Sequence, residues 1–152
     1  MNEQFVRKSI ELAQKAKEKG NEPFGACLVK DGEIILTAEN TIHSERDPTR
    51  HAETNLVSKA SQMFDTKTLR DSILYTSTEP CAMCAGAIYW AGIRTVVFGC
   101  SNQTLIEIAG SGLSISCRDV FAGGAQTTEV IGPILEDEAT AVHKAFWDGS
   151  PR

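Results

Sequence analysis

The sequence predicts an α/β sandwich with helices on both faces of a mixed sheet, on three observations. Short helix-period and strand-like segments alternate along the chain. An Asp-Gly hairpin signal lies between two early apolar runs. No repeat, low-complexity tract or linker divides the chain, so 1–152 reads as one domain around one core.

The elements follow in order. Phe5, Ile10, Leu12, Ala13 and Ala16 recur at a helical period, and Gly20 and Asn21 stop that helix. Gly25 to Lys30 and Glu33 to Ala38 are strands joined at Asp31-Gly32, where both residues tolerate positive φ. Asn40 to Arg50 is polar, carries Pro48 and reads as a loop, before a helix from about His51 to Ser61. Ser72 to Thr76 is a strand ended by Thr78 to Pro80. A helix starting near Cys81 carries Ala85, Ala87, Ile88 and Trp90 up to Gly92, with Trp90 expected in the core. Thr95 to Gly99 is a further strand. Asn102 to Gly124 is rich in glycine and serine and shows no clear period. Glu129 to Leu135 is a last strand, and Glu136 to Trp147 a last helix with Glu136, Asp137 and Glu138 in its first turn.

A formal net charge of −5 and the lack of a basic stripe argue against a large nucleic acid as partner. No stretch is long and apolar enough to span a membrane, and Met1 to Lys19 lacks a signal-peptide core, so the expected location is cytoplasmic. Five cysteines are an odd number and a poor disulfide framework. Cys27, Cys100 and Cys117 read as small core or half-buried residues.

Cys81 and Cys84 require a different account. In Pro80-Cys81-Ala82-Met83-Cys84, two thiols three apart at a helix start aim both sulfurs at one point, where free N–H groups favour thiolate. His51-Ala52-Glu53 opens another helix. One imidazole and two thiolates bind Zn²⁺, one ion per chain, and leave a fourth position for water. Glu53, on the first turn beside His51, is placed to take a proton from that water and return it to a leaving amine. The expected reaction is hydrolysis at an amidine-like carbon with loss of ammonia. His-x-Glu followed by Pro-Cys-x-x-Cys is the known signature of zinc nucleobase deaminases. A lone Cys-x-x-Cys would fit a redox pair or a structural zinc site equally well, but neither explains His51 with Glu53.

On these residues the chain resembles the cytidine deaminase-like superfamily, in the branch of guanine deaminase, fungal cytosine deaminase and tRNA adenosine deaminase. Pro23-Phe24-Gly25-Ala26, Asn40, Asp47-Pro48-Thr49, Leu74-Tyr75-Thr76, Glu79-Pro80-Cys81 and Gly86-Ala87-Ile88-Tyr89-Trp90 carry the resemblance with the two motifs. It implies a five-stranded mixed sheet in three α/β/α layers, and a homodimer or larger assembly. It also implies that Asn40 binds the ring or sugar edge, the alternative being a turn residue. Phe24 is a pocket wall or a core residue. The backbone of Gly25 and Ala26 approaches the ligand, and Glu79 supports the ligand residues from behind. His43 reads as an exposed loop residue and His143 as helix packing.

Guanine deaminases carry acidic residues after the last motif strand, and around Ala109 to Gly112 no aspartate matches. The tRNA enzymes end in a basic helix. This chain ends Phe146-Trp147-Asp148-Gly149-Ser150-Pro151-Arg152. Phe146, Trp147 and Asp148 either close the pocket over a small base, as in fungal cytosine deaminase, or bury the last helix. The expected substrate is a small amino-substituted heterocycle, guanine first and cytosine second, with water as co-substrate. A tRNA adenosine deaminase or a non-catalytic subunit is the alternative.

Overall fold

The computed structural model describes residues 3–147. In chain order the elements are α1 (Glu3–Glu18), β1 (Gly25–Lys30), β2 (Glu33–Glu39), α2 (Ile42–Glu45), α3 (Ala52–Met63), α4 (Thr66–Arg70), β3 (Ile73–Thr78), α5 (Ala82–Ala91), β4 (Thr95–Cys100), α6 (Asn102–Ala109), α7 (Cys117–Ala122), β5 (Glu129–Ile131) and α8 (Glu136–Phe146). One five-stranded sheet runs β2-β1-β3-β4-β5. β1 is antiparallel to both β2 and β3, whereas β3, β4 and β5 are parallel. Parallel neighbours need crossovers, supplied by α5 and by the α6–α7 segment. The expected three-layer α/β/α sandwich is therefore present.

The hairpin forms where the Asp-Gly step placed it. Asp31 and Gly32 have φ of 52° and 77°, the left-handed pair that a two-residue turn needs. α1 lies on one face, where Phe5 and Val6 pack with Cys27, Val29, Tyr75 and Val97. The opposite face buries Ala26, Leu28, Leu74 and Val96 against Leu56, Ala60 and Ile88 of α3 and α5. Gly25 sets the distance of α1 from the sheet. A Cβ there would lie 2.4 Å from the Ser9 carbonyl oxygen and 2.6 Å from the Ala13 nitrogen, both backbone atoms.

Several boundaries and elements differ from expectation, each for a physical reason. The Asn40–Arg50 stretch contains the short helix α2. The unassigned 102–124 segment holds α6 and α7, whose N-caps Ser101 and Ser116 accept from the Thr104 and Asp119 backbone N–H groups. α4 starts in the same way at Asp65, which accepts from Thr68 N–H. β5 stops at Ile131, because Pro133 has no N–H to extend a ladder toward Leu135. Trp90 is 85% exposed rather than in the core. α5 is apolar on every side, so its sequence carries no period from which to read the buried face.

Replacing Gly25 with alanine is expected to lower stability by about 1–3 kcal/mol, because neither backbone atom can step aside. Denaturant unfolding of Gly25→Ala beside the parent protein measures this.

Candidate metal centre and active site

Two helices begin at the same place. His51 is the N-cap of α3 and Cys81 the N-cap of α5, and neither side chain makes a capping hydrogen bond. Both imidazole and thiol are thus free to face each other across the two helix starts. His51 Nδ1 lies 3.6 Å from Cys81 Sγ. Cys84, three residues on, is buried one turn into α5, and the three donor atoms fall within 4.8 Å of one another.

The electrostatics of this cluster have nameable causes. Cys84 donates to Cys81, which with His51 outweighs burial and lowers the Cys81 thiol to about 4. Cys84 is raised well above its ordinary value by that same donation and by burial. Burial pulls His51 down, but the Cys81 sulfur and Glu53 outweigh it, so His51 is raised. Glu53, on the first turn of α3, is buried. Burial first and the Cys81 sulfur second push its carboxyl up to about 7, against His51 and the Thr76 hydroxyl.

The donor set fits zinc. Tetrahedral Zn²⁺ with arms of about 2.3 Å to sulfur and about 2.0 Å to nitrogen sets its donors roughly 3.5–3.8 Å apart. The His51–Cys81 separation of 3.6 Å lies in that range. Metal binding requires both thiols deprotonated and the His51 imidazole neutral, so it releases protons from this cluster. Three protein ligands are the number found at catalytic zinc sites, not at closed structural ones.

The cluster opens on a cleft of about 580 Å³, lined by His51, Cys81, Met83, Glu22, Asn102 and the Ser111–Leu113 turn among others. Phe24, Gly25, Ala26, Asn40 and Trp147 do not line it. Phe24 lies behind His51, ring stacked on ring at 6.5 Å and 11°. The missing side chain of Gly25 is taken up by α1, and Ala26 is buried in β1. Asn40 takes the turn role. Its Oδ1 accepts from Ile42 N–H at 3.0 Å, a turn role, while its buried Nδ2 has no hydrogen-bond partner among the described residues.

At the C-terminus, Trp147 Nε1–H donates to His143 Nδ1 at 3.0 Å, and His143 Nε2 lies 2.7 Å from Thr78 Oγ1. Indole is only a donor, so Nδ1 accepts and Nε2–H points to Thr78. The buried His143 ring also packs on Phe24 at 5.1 Å. Trp147 therefore anchors the last helix beside the site. Asp148 lies outside the described residues.

Glu79 does more structural work than expected. Its two carboxylate oxygens accept from the backbone N–H groups of Asn102 at 3.0 Å and Cys117 at 2.8 Å, which ties the starts of α6 and α7 to the end of β3. Glu22, Met83 and Asn102 were not anticipated in the cleft. The sequence signal for Glu22 was its place directly before Pro23-Phe24-Gly25. Among the described residues, no helix is long and apolar enough to cross a membrane.

The family profile described as the cytidine and deoxycytidylate deaminase zinc-binding region matches residues 1–100. The chain is 43% identical to a probable cytosine deaminase of Schizosaccharomyces pombe, over 95% of this chain and 91% of that protein. It is 41% identical to the guanine deaminase of Bacillus subtilis, over 70% of this chain and 69% of that protein. Identity to the Bacillus subtilis tRNA-specific adenosine deaminase is 34%, over 96% and 88%. With a matching sheet, a matching donor set and these relatives, the chain belongs to the zinc-dependent cytidine and deoxycytidylate deaminase family, hydrolases that cleave the amidine C–N bond of a nucleobase-like heterocycle.

Proposed function

We propose that the protein hydrolyses the exocyclic amine of a free nucleobase, cytosine ahead of guanine, and releases ammonia. The observation that carries this reading is the His51–Cys81–Cys84 donor set, two of whose members line a cleft, with the buried Glu53 carboxyl on the helix turn that His51 opens. Similarity to the Schizosaccharomyces pombe protein extends over almost the whole chain, whereas that to the guanine deaminase covers 70% of it, which supports the order of substrates. A tRNA adenosine is the second reading, favoured by a match over 96% of the chain and opposed by a net charge of −5.

His51, Cys81 and Cys84 hold the zinc. When bound, the ion polarises a water molecule and makes it acidic near neutral pH. Glu53 has a carboxyl that is neither firmly ionised nor firmly protonated near neutrality. It takes one proton from the attacking water at a carboxylate oxygen and passes it to the ring nitrogen, then takes the second proton from the new hydroxyl and passes it to the departing amine. Phe24 holds the His51 ring in its ligating orientation, and Glu79 supports the cleft through Asn102.

The protein acts as a homodimer in this reading. α5 carries no charged residue, and its outer side presents Met83, Gly86, Ala87 and Trp90, a surface suited to a second copy. Replacement of Trp90 with glutamate is expected to shift the protein to monomer, read by light scattering behind size exclusion. A parent protein that is already monomeric would refute the assembly.

Glu53→Gln is expected to retain one zinc per chain and to lose about 10²–10⁴-fold in kcat. Cys84→Ala is expected to lose the metal, measured by elemental analysis after dialysis. Ammonia release across cytosine, guanine, adenine, their nucleosides and tRNA tests the substrate. The free bases should respond and tRNA should not.

A further inference from the structure

The cleft contains one carboxylate that the reaction described above does not use. Glu22 lines it together with His51 and Cys81. Its side chain is only 19% exposed, and the His43 imidazole, at Nε2, is 3.9 Å away, beyond hydrogen-bond reach. Among the described residues no donor hydrogen-bonds to this carboxylate. Largely buried polar groups are normally satisfied, and a carboxylate can only accept.

Its position is rigidly set. The neighbouring Asn21 is buried, and its Oδ1 accepts from His43 N–H at 3.0 Å and Ser44 N–H at 2.9 Å. On the other side Pro23 is buried, and Phe24 N–H donates to the Glu22 carbonyl at 2.9 Å. The backbone that carries this acceptor is thus fixed at the cleft, and the carboxylate faces a space that only a bound donor can fill.

We infer that Glu22 determines specificity by accepting N–H groups from the edge of the bound ring. The inference rests on the reading that the cleft takes a heterocyclic amine. With Glu22 accepting, the favoured substrate presents, beyond the departing amine, a further N–H donor on the edge that faces this carboxylate. Rings that carry a second amino group or a free ring N–H meet that pattern. Their fully N-substituted counterparts do not.

The test compares 2,4-diaminopyrimidine with 4-aminopyrimidine, matched rings that differ by one amino group and are small enough for either base site. Equilibrium binding is measured by calorimetry on zinc-loaded Glu53→Gln protein, so that turnover does not intervene, at a pH where both rings are neutral. The diamino ring is expected to bind about 10- to 100-fold more tightly, the range of one hydrogen bond to a charged group. Glu22→Gln in the same background should erase most of that ratio, with the melting temperature unchanged. A ratio that survives Glu22→Gln, equal weakening of both rings, or no binding of either overturns the assignment. Ammonia release by the parent protein is scored separately. Release from a base with a ratio indifferent to Glu22→Gln removes this assignment alone, and a Glu22-dependent ratio with no release from any ring removes the deaminase reading alone.

Discussion

Two helix starts have to meet, and most of the structure serves that meeting. His51 and Cys81 are thirty positions apart in the chain, yet their donor atoms are 3.6 Å apart. Side chains of this kind can converge only if α3 and α5 lie side by side on one face of the sheet and begin at the same level. Small residues permit it. Ala52 and Ala60 of α3 and Ala85 of α5 are wholly buried between the helices and the strands. The N-caps of α4, α6 and α7 are Asp65, Ser101 and Ser116 with true capping bonds, whereas those of α3 and α5 are residues whose side chains do not cap. The unpaired N–H groups that result favour an anionic sulfur, so a small local cost in helix stability is matched to the chemistry of the site.

The end of β3 is the second organising point. Over four residues the chain contributes Thr78, which holds α8 through His143, then Glu79, which holds the starts of α6 and α7, and then the Pro80-Cys81 step into α5. Elements distant in sequence are thus referred to one short segment. The cleft wall at Asn102, the C-terminal anchor at Trp147 and the cysteine donors keep their relative positions because each is bonded to that segment or continues from it.

Legibility in the sequence followed the range of the physics involved. The hairpin was readable because Asp31-Gly32 solves a local problem of backbone conformation. The starts of α3 and α5 were readable to within a residue because metal ligands, unlike core residues, admit few alternatives. The donor set and Glu53 came from the same two short motifs. The 102–124 segment was not readable from hydrophobic period, since its helices have eight and six residues and show little more than two turns. Their serine caps were the available signal. Trp90 was misplaced because a helix without polar residues hides its orientation. Glu22 was missed as a cleft residue, and the partners of His143, read only as helix packing, were unforeseen, for a deeper reason. Each acquires its surroundings from elements remote in sequence, and no spacing rule encodes a contact between residues 78 and 143.

The His143 anchor also bears on how far a local fault can travel. α8 supplies the imidazole that reaches Thr78 and the Ala139 methyl that faces Gly99. That imidazole packs on Phe24, and the Phe24 ring stacks on His51. A change in α8 that displaces the imidazole therefore reaches the donor cluster through a single aromatic ring, without touching any donor.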